Sequence, residues 1–169
     1  LVRSSAVHET LDAEDSELLA RTFRFEDKTA ADALTPRVDV RWLPEDASSG
    51  DLLDLSASTG LSRFPVCRGN LDEVVAVVDV RDVLRSGRPP EERRSVPLAA
   101  LWAEVLRVPE SKRLPDLFAS MQTDDVEFVV VVDEYGGTAG VITVEDIVEE
   151  VVGEIDDEHD PLRLRPRPD

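Results

Sequence analysis

The sequence predicts an α+β fold in which two similar β-α-β-β-α units pack as one pseudo-symmetric body behind an amphipathic helix. The first observation is an internal repeat, because residues 41–84 and 106–148 pass through the same succession of patterns. The second is that each copy holds two Val-rich runs bounded by turn residues and two segments with apolar residues at helical spacing. The third is that one such unit has only a small sheet with an uncovered face, so two units are expected to share a core.

Composition narrows the classes of function. A chain of 169 residues can bury a stable core without disulfides or a structural metal. Its 37 acidic and 19 basic residues give a net charge of -18. This charge argues against nucleic acid or an anionic membrane surface as the main partner. No apolar run is long enough to span a bilayer, so no direct membrane insertion is expected of this chain, and its start at Leu1 rather than Met suggests a piece of a larger protein. The single cysteine, Cys67, is predicted to be a small core residue in a reducing compartment.

The elements follow in order along the chain. An amphipathic helix is predicted at 10–27, where acidic residues precede an apolar stripe, with Thr10 or Asp12 as its N-cap. The first repeat then gives an extended piece ending at Pro44, a helix at 51–58, strands at 63–67 and 74–78, and a closing helix at 81–84. The second gives an extended piece ending at Pro109, a helix at 114–122, strands at 127–133 and 139–142, and a closing helix at 144–152. We therefore divide the chain into a segment with the amphipathic helix at 1–33, repeats at 34–90 and 91–153, and an acidic, then Pro- and Arg-rich linker at 154–169.

The most specific chemistry lies where the last predicted strand meets the closing helix. Thr143 sits at the strand exit and Asp146 follows in the first helical turn. A carboxylate placed there can accept hydrogen bonds from the vicinal hydroxyls of a ribose, and a helix N-terminus favours phosphate oxygens. The alternative is a capping box, in which the two side chains only close the helix start. In the first repeat the matching residues are Asp79 and Asp82, and the extra negative charge is expected to repel phosphate, so we place the ligand in the Thr143 half.

Other candidate chemistry is weaker. The two histidines, His8 and His159, are far apart in the sequence, so a shared metal site and an activated nucleophile are both unexpected, and we infer no enzyme activity. Acidic residues near the end of the chain could collect a divalent cation, although a solvated helix end is the simpler interpretation. These acidic residues are Glu149, Glu150, Glu154, Asp156, Asp157, Glu158 and Asp160.

Four motifs carry a resemblance to a known family. They are T-P-R at 35–37, S-R-F-P-V at 62–66, V-D-E-Y-G-G-T-A-G at 132–140 and T-V-E-D-I-V-E-E-V-V-G-E-I at 143–155. Together the chain resembles, from about residue 12 to 160, the tandem CBS-domain pair of the CorC and CNNM (hemolysin-related) magnesium and cobalt transport proteins. Members of that family place a transmembrane domain before the pair and a small domain after it. The resemblance therefore implies two CBS repeats on the cytoplasmic side of the plasma (inner) membrane, within a membrane protein.

The resemblance also implies a ligand and its contacts. ATP or another adenine nucleotide, usually with Mg²⁺, would lie in the cleft between the repeats. By the family motifs, Asp146 would contact the ribose and Thr143 the sugar-phosphate edge. The other nucleotide-binding residues implied by the motifs are Thr35, Ser62, Arg63 and Pro65. Arg63 is also the best nearby cation for phosphate in this acidic chain, whereas Leu61 and Cys67 stand where many relatives have an aromatic residue that stacks on adenine.

The expected role is regulatory. A nucleotide would close the cleft, or bridge two copies of a homodimer, and the shift would pass through the amphipathic helix to the transmembrane domain of the same parent chain. Two alternatives remain open at this stage: a structural dimerisation scaffold without ligand, and a direct divalent-cation sensor that uses the acidic residues.

Overall fold

The computed structural model describes residues 25–159. Most of the predicted amphipathic helix lies outside these residues, but 25–27 are helical, which agrees with its predicted end. Two short elements follow, α1 (Ala30–Ala33) and β1 (Thr35–Pro36). The first repeat then contains β2 (Leu43–Pro44), α2 (Ser49–Thr59), β3 (Arg63–Cys67), β4 (Val74–Asp79) and α3 (Val80–Arg85). The second contains β5 (Leu106–Pro109), α4 (Leu114–Thr123), β6 (Phe128–Val132), β7 (Thr138–Thr143) and α5 (Val144–His159).

The predicted β-α-β-β-α order is confirmed in both repeats, and local sequence signals explain the helix ends. Ser48 caps α2, and its hydroxyl accepts a hydrogen bond from the Asp51 N–H while the Asp51 carboxylate accepts one from the Ser48 N–H. The same helix stops at Gly60, whose φ of 74° is left-handed and suits glycine. Local sequence signals therefore define both ends of α2.

Two sheets form the body; one includes a strand from the other half of the chain, and the other is joined to the other half by an isolated β-bridge. One sheet has the order β1-β7-β6-β5 and the other β2-β3-β4. Thr35 of β1, at the start of the first repeat and before its β-α-β-β-α elements, pairs antiparallel with Val141 of the second repeat. In the matching place, Ala103, before the β-α-β-β-α elements of the second repeat, bridges Val77 of the first through N–H···O bonds of 2.9 and 3.1 Å. This exchange repeats the same geometry twice and gives the body its pseudo-symmetry.

The core confirms that the repeats share one body. Each sheet packs against its own helices, with Leu52 and Phe64 fully buried in the first half and Leu117 and Ile142 fully buried in the second. A third apolar cluster joins the halves. It consists of Cys67, Leu71, Val74, Val77, Phe128, Val130 and Val141. Removing such surface from water contributes roughly 25 cal/mol per Å², so the shared cluster stabilises the pair as a unit.

Three features differ from the sequence prediction. The helix α5 runs on to His159 instead of ending at 152, so the predicted linker beginning at 154 starts within a helix. Glu154 and Glu158 are good helix formers, and the prediction gave the acidic composition of this stretch more weight than their helix propensity. The short strand β1 and the bridge at Ala103 were not predicted, because two residues give no periodicity to read. Within the described range, every helix is too short or too polar to span a lipid bilayer.

Candidate functional site

Two clefts open between the repeats, one at each junction of a last strand and its closing helix. The cleft beside α5, here called the Thr143 cleft, measures about 90 Å³. Five of the six predicted site residues line it: Thr35, Arg63, Pro65, Thr143 and Asp146. The sixth is placed differently, since Ser62 is absent from the lining and its carbonyl accepts the N–H of Val80 at 2.8 Å. Residues far apart in the sequence therefore meet as predicted.

The strand-to-helix junction positions Thr143 and Asp146. The Asp146 Oδ2 accepts the Thr143 N–H at 2.8 Å, and the Thr143 hydroxyl accepts the Asp146 N–H at 3.2 Å. This arrangement is a capping box, as described by the alternative interpretation. It does not occupy the whole carboxylate, because Oδ1 of Asp146 makes no hydrogen bond to any residue that the structure describes. The same side chain can thus cap the helix and present one oxygen to the cleft.

Thr35 reaches the cleft because β1 pairs with β7. The register sets Thr35 opposite Val141 and Pro36 opposite Gly140. A Cβ on Gly140 would lie 2.1 Å from the Thr35 carbonyl oxygen, so only glycine allows this approach. In the first repeat Ala76 stands at the matching position. The glycine therefore determines how closely the threonine strand lies against the site.

Arg63 lies between the two clefts, but its charge is already paired. Its Nε lies 3.2 Å from Oδ2 of Asp79, its Nη1 lies 3.3 Å from Oε1 of Glu145, and its Nη2 bonds Glu127. The side chain is only 10% exposed. The sequence predicted that Arg63 is a cation available for phosphate. It did not predict these partners, because Glu127 and Glu145 come from the other repeat.

The cleft beside α3 is larger, about 270 Å³, and carries a different charge pattern. Asp79 is not the unpaired negative charge that the sequence predicted. Its carboxylate accepts hydrogen bonds from Arg81 Nε at 3.1 Å and from Arg81 Nη2 at 2.6 Å. Burial favours a higher pKa for Asp79, but the hydrogen bonds from Arg81 and the charges of Arg81 and Arg63 outweigh it and lower the pKa. Even so, three arginines face five carboxylates in this lining. The carboxylates are Asp79, Asp82, Glu104, Asp125 and Glu127.

The Thr143 cleft is less negative, and two of its charged residues were missed. Its lining has two arginines, Arg41 and Arg63, and two carboxylates, Asp39 and Asp146. Arg41 and Asp39 belong to the segment just after β1. A search for charged residues near the T-P-R motif would have found them. The charge balance supports a preference of anions for this cleft over the larger one.

The remaining candidates have structural explanations. Cys67 is fully buried, and burial raises the pKa of its thiol to about 11, so it is a core residue as predicted. Glu150 of the acidic cluster pairs with Lys28 at 2.6 Å. Among the side chains of residues 25–152, no group of three or more His, Cys, Asp or Glu is arranged to hold a metal ion. His8, Asp160 and the side chains of 153–159 lie outside what the structure describes.

Comparison with known proteins agrees with the repeats. The family model described as CBS domain matches residues 30–88 and 100–153. A UPF0053 protein of Mycobacterium tuberculosis is 39% identical over 160 residues, which is 95% of this chain and 35% of that protein. The magnesium and cobalt efflux protein CorC of Salmonella typhimurium is 31% identical over 160 residues, which is 95% of this chain and 54% of that protein. The chain thus spans about a third to a half of the length of these curated relatives.

Solved structures show the same fold. The CBS domain of a bacterial CNNM/CorC family Mg²⁺ transporter in complex with ATP superposes with a TM-score of 0.74 at 33% identity, covering 83% of this chain and 98% of that one. A CBS-domain pair from Klebsiella pneumoniae with bound AMP gives a TM-score of 0.63 at 26% identity, covering 75% of this chain and all of that one, 100%. The chain therefore shares its fold with both structures.

Proposed function

Because this chain belongs to the CBS-domain family, as a CBS-domain pair of the CorC/CNNM type, we propose that it is the regulatory module of a membrane protein that transports magnesium or cobalt. The module binds an adenine nucleotide, ATP with Mg²⁺, in the Thr143 cleft. It has no catalytic role and lies on the cytoplasmic side of the inner membrane. Nucleotide binding shifts the arrangement of the two repeats, and the shift is passed to a transmembrane domain of the same parent chain.

One observation carries this proposal. Side chains from three separate parts of the chain, Thr35, Arg63 and Asp146 among them, meet in a single cleft whose charges balance. The free Oδ1 of Asp146 is an acceptor suited to a ribose hydroxyl, and the α5 N-terminus beside it favours a negative group. The proposal is further supported by the ATP and AMP complexes of the two similar structures. The larger cleft, with its excess of carboxylates, is the weaker candidate.

Asp146→Ala is the variant that tests the proposal. It removes charge-assisted hydrogen bonds of about 1.5–3 kcal/mol, so calorimetry should show a roughly ten- to hundredfold loss of ATP affinity. It also removes a cap worth about 1 kcal/mol, so the melting temperature falls as well. The matched control is Asp51→Ala, which breaks the equivalent capping box at Ser48 away from the cleft.

The control separates the two effects. Asp51→Ala should lower the melting temperature by a similar amount and leave ATP affinity unchanged, and Asp82→Ala should change ATP affinity much less than Asp146→Ala. Equal ATP affinity in the wild type and Asp146→Ala would contradict the proposal that the nucleotide binds in the Thr143 cleft. An absence of ATP and AMP binding by the wild-type chain would instead favour the structural scaffold.

We also propose that the chain forms a homodimer. The outer face of α5 exposes Val148, Val151 and Val152 at 47, 37 and 46%, an apolar stripe that one pair leaves uncovered. Light scattering on the isolated chain should give twice the monomer mass at micromolar concentration. A monomer mass at high concentration, with and without nucleotide, would contradict the proposal.

A further inference from the structure

The size of the Thr143 cleft limits which part of a nucleotide can enter it. Sites that enclose a drug-sized ligand usually measure about 300–1,000 Å³, whereas this cleft measures about 90 Å³. Its walls include the apolar side chains Val40, Leu61, Phe128 and Val141. Such walls suit a base, and Asp146 beside them suits a ribose. A chain of phosphates therefore has to lie at the mouth of the cleft, towards solvent.

Among the residues that the structure describes, two positive side chains line this cleft, and one is paired while the other is not. Arg63 is 10% exposed and bonded to Asp79, Glu127 and Glu145. To meet a phosphate it would have to give up carboxylates that are already in place, leaving them without a counter-charge. Arg41 is exposed to solvent and forms no ion pair or hydrogen bond with any residue that the structure describes.

We propose that Arg41 is the side chain that binds the phosphates of the nucleotide, a role that rests on the function proposed above. Its planar guanidinium can donate two parallel hydrogen bonds to one phosphate. It lines the cleft and is exposed to solvent, which matches the place to which the cleft directs the phosphates. Arg63 is then a positioning residue that joins the repeats by ion pairs and holds the cleft walls together.

The test compares ligands that differ only in phosphate number. ATP, AMP and adenosine are titrated calorimetrically into the wild type, Arg41→Gln and Arg85→Gln. Arg85 is the matched control, because it is an exposed arginine that lines the other cleft. Arg41→Gln should lose about ten- to hundredfold in ATP affinity while adenosine affinity stays the same, and Arg85→Gln should match the wild type. Since Arg41 is exposed and unpaired among the described residues, the variant is expected to fold.

The first three outcomes below would contradict the assignment of the phosphate contact to Arg41 and leave the proposed function unaffected. Unchanged ATP affinity in Arg41→Gln means that Arg41 does not bind phosphate, and an equal loss for adenosine means that it only shapes the cleft. A phosphate-dependent loss in Arg63→Gln alone would return the role to Arg63. Inorganic triphosphate provides an independent probe: if it binds the wild type more tightly than Arg41→Gln while adenosine does not bind, the phosphate site stands and the adenine assignment falls.

Discussion

At the scale of single residues, Asp72 shows how the two repeats hold each other. Asp72 lies in the turn between β3 and β4, yet its Oδ1 accepts the N–H of Thr138 at 2.9 Å and bonds the guanidinium of Arg37. The same Arg37 also donates to the Thr138 carbonyl at 3.1 Å. Thr138 begins β7 and is 3% exposed. One carboxylate thus ties the first repeat to the strand that leads into the Thr143 cleft.

This contact should make stability depend on pH. The hydrogen bond from Arg37, followed by that from Thr138, lowers the pKa of Asp72 below its ordinary value. The stabilisation is therefore present above about pH 4, near the unfolded-state pKa, and is lost as the pH falls through the lower folded-state pKa. Asp72→Asn keeps an acceptor for Thr138 but loses the charge.

Thermal melts between about pH 7 and pH 2 should therefore show a lower melting temperature for Asp72→Asn at neutral pH and a smaller further loss in acid than in the wild type. Glu73→Gln, in the same turn, is the control and should follow the wild-type curve. Parallel curves for Asp72→Asn and the wild type would mean that the ion pair with Arg37 adds nothing.

The sequence predicted local chemistry better than long-range pairing. Thr143 and Asp146 could be identified because both roles, helix cap and ligand contact, depend on a spacing of three residues. The partners of Arg63 could not, because Glu127 and Glu145 approach it only through the packing of one repeat on the other. Arg41 was missed because no motif includes it. The role proposed for it follows from the ion pairs that Arg63 already makes with Asp79, Glu127 and Glu145.

At the scale of elements, the pairing of β1 with β7 depends on a single glycine. The ideal Cβ of Gly140 would lie 2.1 Å from the Thr35 carbonyl oxygen and 2.9 Å from Cδ1 of Leu34. The first of these atoms is backbone and cannot rotate away. By contrast, a Cβ on Gly137 would lie 3.0 and 3.1 Å from carboxylate oxygens of Asp72 and Asp133, contacts that a shift of a few tenths of an ångström relieves.

Gly140→Ala should therefore displace β1 and carry Thr35 away from the cleft. We expect a loss of stability of about 1–3 kcal/mol, as for overpacked sites, together with weaker ATP binding. Gly137→Ala, three residues away, should have a smaller effect on both. Chemical denaturation and calorimetry measure the two quantities. A Gly140→Ala protein with wild-type ATP affinity would show that Thr35 is not needed at the site.

Apart from the end of α5, elements with strong periodicity were predicted within about two residues, and weak ones were not. The Val-rich strand β3 has the predicted bounds, Arg63–Cys67. Its counterpart β6 is shorter than predicted by one residue at each end, Phe128–Val132. The strand β1 is only two residues long, and its place is decided by the partner strand and by Gly140 rather than by its own sequence. Local preference therefore defines the repeats, while their interlocking depends on tertiary contacts.

At the scale of the whole molecule, the charge of -18 opposes the approach of another polyanion. Magnesium bound to ATP neutralises part of the phosphate charge and should weaken that repulsion. We therefore expect tighter binding of Mg-ATP than of free ATP, with a difference that shrinks as ionic strength rises. Calorimetry with and without a chelator measures it. Equal or tighter binding of free ATP would show that the overall charge does not control the site.

The pairing of β1 and Ala103 with the opposite half of the chain also affects the order in which the protein folds during synthesis. As the chain leaves the ribosome, β2, β3 and β4 emerge one after another. The backbone of Val77 at the sheet edge remains without its partner until Ala103 has been synthesised. The strand β1 waits longer, since its partner Val141 is among the last described residues to be synthesised. Contacts between segments so distant in sequence form late. A ribosome that stalls before Val141 would therefore hold a first repeat whose strand β1 has no partner strand, and the Thr143 cleft would form only after Thr143 and Asp146 have been synthesised.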